Sequence, residues 1–151
     1  MNDMNRSLLE FISDSPSMFH TCASVAARLE RAGFVRLPEN APWRMAWGGK
    51  YYVTRNGSSI IAFTAAEGEP WHFRIAAAHG DSPTYKLKDE PEKAGPGQYL
   101  RLNVESYGSM INSTWLDRPL GLAGRVMVRQ LYDGLLARYG NDTPETLRHL
   151  N

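Results

Sequence analysis

The chain has one cysteine, no long apolar run and almost no charge imbalance, and each shortage excludes something. Cys22 alone cannot close an internal disulfide, so the sequence suits a reducing compartment, and the cytoplasm is the expected location. The opening MNDMNRSLLEFISDSP holds no apolar stretch of signal-peptide type, and no run of ~18 apolar residues occurs anywhere. The expectation is a chain neither exported by a signal peptide nor membrane-spanning. With 17 Lys+Arg against 16 Asp+Glu, the net charge is +1 and no basic block forms, which argues against nucleic acid or an anionic membrane surface as partner. Repeats, heptads and low-complexity tracts are also missing. What is present is a core-forming composition of 42% apolar residues in 151, with four Trp, seven Tyr and five Phe. That is one domain's worth of chain, expected to fold at least in part.

Periodicity orders the chain. Residues 7–12, SLLEFI, predict a short helix that stops at Ser13-Asp14-Ser15-Pro16. A second helix follows, with Ser17 as N-cap, Cys22, Val25, Leu29 and Ala32 on one core-facing stripe, and Gly33 as its stop. Residues 50–64, KYYVTRNGSSIIAFT, predict a hairpin turning at Asn56-Gly57, because both residues tolerate positive φ. Residues 72–78, HFRIAAA, predict a third strand ending at His79-Gly80-Asp81-Ser82-Pro83. The charged, Pro- and Gly-bearing stretch 86–97 reads as an inter-domain connection. Strands are expected again over 99–104 and 120–128, then a helix carrying Leu131, Tyr132, Leu135, Leu136 and Tyr139, and a further helix opening at Thr143-Pro144-Glu145.

The cluster with most chemistry is His79-Gly80-Asp81-Ser82-Pro83. In extended chain, residues two apart share a side, so the His79 imidazole and the Asp81 carboxylate converge. An imidazole held by a carboxylate suits Zn²⁺ coordination. A polar strand end with a turn-capping aspartate accounts for the same residues, and spacing alone leaves both readings open. His20 reads as a structural histidine, and Cys22 as an inert core thiol. Gly48-Gly49 reads as a turn, since no phosphate-loop glycine pattern surrounds it. The acidic pairs Glu67/Glu69 and Asp89, Glu90, Glu92 read as solvated, and Asp117-Arg118 as an ion pair supporting a turn.

Several segments together resemble the aspartyl aminopeptidase family of zinc metalloaminopeptidases, in that family's order. They are Ser13-Asp14-Ser15-Pro16-Ser17-Met18-Phe19-His20, Gly48-Gly49-Lys50-Tyr51-Tyr52-Val53-Thr54-Arg55-Asn56, Ala78-His79-Gly80-Asp81-Ser82-Pro83, Leu102-Asn103-Val104-Glu105 and Thr114-Trp115-Leu116-Asp117-Arg118-Pro119-Leu120. The resemblance implies an α/β fold: the N-terminal portion of a zinc-peptidase domain over residues 1–88 and the start of an inserted, mostly β dimerisation domain over 89–129; after Arg129, where that β domain should continue, the sequence leaves the family's pattern for a divergent helical tail over 130–151. It implies a cytosolic homo-oligomer that releases N-terminal Asp or Glu from peptides. His79 matches the zinc-binding histidine and Asp81 the catalytic aspartate that orients it, while Gly80 replaces a more usual Thr at a position whose side chain should point away. By resemblance, two Zn²⁺ ions hold and acidify a water while a glutamate acts as base. The remaining ligands and that base belong to the family's C-terminal half. The expectation is a truncated or fragmentary chain, inactive alone; the alternative is a non-catalytic interaction module that associates with itself or a full-length homologue.

Overall fold

The computed structural model describes residues 2–68 and 72–126. Two compact units divide the chain, 1–119 and 120–151. The first opens with α1 (Asp3–Ser13), capped by the Asn2 side chain, which accepts from the Asn5 N–H at 2.9 Å. Helix α2 (Met18–Arg31) follows and ends as its sequence predicts. Gly33 takes φ +81°, its N–H reaches the Glu30 carbonyl, and the Phe34 N–H reaches the Leu29 carbonyl, so the last helical carbonyls are satisfied. Arg28 ties the two helices together through the Ser7 carbonyl and the face of Phe11.

Strands β1 (Val35–Arg36), β2 (Lys50–Arg55) and β3 (Ser59–Thr64) form a sheet in that order, β1 parallel and β3 antiparallel to β2. The expected turn is there: Asn56 and Gly57 both have positive φ, and the Ser58 N–H closes on the Arg55 carbonyl. Gly48 and Gly49 extend the ladder onto Ala65, as a turn into the hairpin should. Helix α2 packs on one face of this sheet, where Cys22 is buried and Tyr52, 1% exposed, donates its phenol to Glu30 at 2.5 Å. The other face carries Tyr51, Phe63 and Trp43 in ring contact, but Val35 and Ile61 stand exposed there. Among the described residues the buried apolar side chains are Cys22, Leu37, Tyr51 and Tyr52, so the core is small.

Three expectations are corrected. Residues 72–78 are not a strand, and Phe73 and Ile75 are 82% and 86% exposed. An extended segment becomes a strand only where a ladder satisfies its backbone, and among the described residues nothing pairs with it. Residues 86–97 are not a connecting loop; most of them lie in β4 (Thr84–Ala94), antiparallel to β5 (Leu100–Tyr107). The register jumps from Leu87 to Glu92, and this bulge takes up the charged Lys88-Asp89-Glu90-Pro91, with Asn103 bonding the Glu90 carbonyl across it. Proline at a bulge needs no ladder partner, which is why a breaker-rich sequence still forms a strand. Residues 120–126 are not a strand either, despite their alternation. The expected helices carrying Leu131 to Tyr139 and opening at Thr143 lie outside the described residues, as do 127–128.

Candidate metal-ligand site

The turn at 79–83 lies between the unpaired segment 72–78 and β4. His79 Nδ1 stands 3.3 Å from Asp81 Oδ1, so the two residues that sequence spacing places on one side do meet. The His79 side chain is 93% exposed and that of Asp81 24%. The second carboxylate oxygen, Oδ2, accepts the Tyr107 hydroxyl at 2.7 Å. Tyr107 is the residue the sequence did not reveal, for it lies far along the chain and comes to Asp81 only because β5 pairs it with Thr84. Gly108, at φ +74°, then closes on Pro83, where a side chain would press against the proline ring. Lys86 Nζ sits 3.3 Å from the Tyr107 ring centroid.

The Tyr107 hydroxyl first, and the His79 ring second, hold the Asp81 carboxyl below its usual range. The same bond lifts the Tyr107 phenol. An acid whose folded pKa is depressed stabilises the fold above its unfolded value, and that contribution is lost as pH falls through the folded pKa. The Asp81 carboxyl carbon is therefore expected to titrate, by NMR, with a midpoint below that of an unfolded aspartate; a midpoint at or above it contradicts the two bonds.

The other candidates take ordinary roles. His20 bonds the Ser17 hydroxyl at 2.8 Å, which leaves the Ser17 side chain off the helix N–H groups it was expected to cap. Cys22 points to the Ser59 carbonyl at 3.6 Å, and burial pushes its thiol up, away from reactivity. Glu67, Asp89, Glu90 and Glu92 are exposed, and Glu69 lies outside the described residues. Arg118 reaches the Thr114 carbonyl at 3.4 Å, so this contact, with Asp117 at φ +54°, stands where an ion pair between the two was expected. A Cβ at Gly80 would meet nothing closer than the Ser58 carbonyl at 3.9 Å, so a threonine fits there.

The family model of the aminopeptidase I zinc metalloproteases, M18, matches residues 11–147. The chain belongs to the M18 aminopeptidase family. The probable M18 family aminopeptidase 2 of Azotobacter vinelandii is 45% identical over 130 residues, 85% of this chain and 30% of that protein. Its namesake in Pseudomonas aeruginosa strain LESB58 is 46% identical over 129 residues, 84% and 30%. This M18 chain thus spans about three-tenths of the length of the curated relatives it matches. Among solved structures, mApe1 of Chaetomium thermophilum superposes with TM-score 0.66 at 38% identity, over 75% of this chain and 26% of that one. The mApe1 of S. cerevisiae, described as a dodecamer, gives 0.61 at 30% identity, over 77% and 28%. The α/β character of this M18 chain, helices with sheets, is that of the M18 structures.

Among the described residues, His79 is the donor whose setting suits zinc, the metal of the family description. His79 offers Nε2 to solvent while a carboxylate holds Nδ1, the arrangement of a metal-ligating histidine. A protein zinc site takes three or four side-chain ligands, and among the described residues no three His, Cys, Asp or Glu side chains converge.

Proposed function

We propose that this chain is the N-terminal portion of a zinc aminopeptidase that releases Asp or Glu from peptide N-termini. In this reading His79 is one zinc ligand and Asp81 the carboxylate that orients it. The observation that carries it is the His79–Asp81 pair, with Nε2 outward, inside the segment that the M18 model matches. Zinc bound there supplies an acidified water and a Lewis acid for the scissile carbonyl. The further ligands, the second ion's site and the base come from outside the described residues, so the chain is inactive alone.

In the same reading, residues 1–88 are a peptidase segment, 89–129 the start of the inserted dimerisation domain and 130–151 a tail; the β4–β5 sheet, separate from β1–β3, supports a second β unit, though it begins at Thr84, ahead of that boundary. A lone two-stranded sheet is barely stable in water, and Leu87, Leu100, Leu102 and Val104 are exposed on this one. Such a surface calls for a cover, which favours a homo-oligomer like the dodecameric relative. A cytoplasmic setting suits the single buried thiol. No helix among the described residues is long and apolar enough to cross a membrane. The near-neutral charge favours a peptide over nucleic acid as partner.

The test is hydrolysis of aspartyl and leucyl amides with Zn²⁺, by the chain alone and after mixing with the remaining portion of the Azotobacter vinelandii relative. Turnover is expected only in the mixture, and faster on the aspartyl amide; turnover by the chain alone, or a preference for leucine, contradicts the proposal. The same exposed β4–β5 leucines favour a second reading, an interaction module that binds itself or a full-length homologue. Sedimentation that finds only monomer, with and without the homologue, would end it.

A further inference from the structure

The His79 ring projects from a turn and is 93% exposed, and its polar contact is Asp81. An imidazole so placed rotates about both side-chain torsions and exchanges tautomers unless a rigid element holds it. Here the contacts run from His79 Nδ1 to Asp81 Oδ1 at 3.3 Å, and from Asp81 Oδ2 to the Tyr107 hydroxyl at 2.7 Å. Tyr107 belongs to β5, paired in register with Thr84, the first residue of β4. Lys86 covers its ring and Gly108 seats the following turn on Pro83, so the phenol is fixed by the sheet as well as by its own strand. A carboxylate only accepts, and a phenol must donate to it. With Oδ2 engaged by Tyr107, Oδ1 faces His79 and accepts the Nδ1 proton, which leaves Nε2 with its lone pair bare.

We propose that Tyr107 is a positioning residue for His79. It fixes the rotation of the Asp81 carboxylate, and through it the Nδ1–H tautomer that turns Nε2 outward as an acceptor. The use of that lone pair on zinc rests on the reading of His79 as a ligand; the lock itself needs neither metal nor peptide.

The test uses the full 151-residue chain labelled with ¹⁵N-histidine, read by long-range ¹H–¹⁵N spectra above the imidazole titration. In the wild type His79 is expected as the Nδ1–H tautomer with a single side-chain rotamer. Tyr107→Phe removes only a hydroxyl from a side chain already 37% exposed. It should shift the His79 tautomer ratio several-fold toward Nε2–H, the form free imidazole prefers, and average its couplings. His20, bonded to Ser17, should not move. An unchanged His79 ratio in Tyr107→Phe, or an equal change in Ser106→Ala, overturns the proposal. Cross-strand contacts between Thr84 and Tyr107 and between Lys86 and Glu105 report whether the hairpin survives. Should Tyr107→Phe lose them, Asp81→Ala decides: a His79 that keeps the Nδ1–H tautomer without its carboxylate overturns the lock. No zinc enters these readouts, so failure of the aminopeptidase reading and failure of the lock are separate results.

Discussion

Tyr52→Ala is expected to unfold the unit built from α2 and β1–β3. Tyr52 is 1% exposed and fills the space between β2 and α2, in a core whose buried apolar side chains, among the described residues, are Cys22, Leu37, Tyr51 and Tyr52. Emptying a buried aromatic site costs about 3–5 kcal/mol. Small domains have total stabilities near the lower end of roughly 5–15 kcal/mol, and a core this thin gives no reason to expect more. Tyr52→Phe separates packing from polarity. It removes the bond to Glu30, but Glu30 is exposed and rehydrates, so the loss is about 1 kcal/mol. Urea titration followed by circular dichroism checks both. A Tyr52→Ala midpoint equal to that of the wild type would mean that the sheet is not held by this side chain.

His79→Ala is expected to remove zinc binding at its site when this chain is assembled with the rest of an M18 enzyme, and Asp81→Ala to weaken it about 10–100-fold. The difference follows from distance. In the proposed reading His79 offers the nitrogen that bonds the metal, whereas Asp81 spends one oxygen on His79 and the other on Tyr107. Zinc retained under a competing chelator gives the two affinities. Equal losses would make Asp81 a direct ligand and the Tyr107 bond incidental; no loss in His79→Ala would remove the histidine from the site.

Local rules made much of this visible in the sequence. Gly33 ends α2 and Asn56-Gly57 turns the hairpin because each is decided by a few bonds within a few residues. His79 and Asp81 meet because neighbours two apart in extended chain share a side. What stayed hidden depends on distant partners. Residues 72–78 have the pattern of a strand and no ladder to join among the described residues, while 86–97 have the composition of a loop and a partner in β5 that makes most of them a strand. Tyr107 was invisible for the same reason: no spacing rule connects it to Asp81, only the β4–β5 register does. The further zinc ligands that the proposed function calls for fall under neither rule, since one imidazole would define a ligand and not a site.

In the proposed function, His79 Nε2 binds zinc in a site that this chain does not complete by itself. The most direct measurement is a Zn²⁺ titration of the ¹⁵N-histidine-labelled chain, alone and mixed with the unlabelled remaining portion of the Azotobacter vinelandii relative. A coordination shift is expected at His79 Nε2 that is weak and far from saturation in the chain alone, and stoichiometric and tight in the mixture. A His79 Nε2 that stays unshifted in an active, zinc-loaded mixture would contradict it.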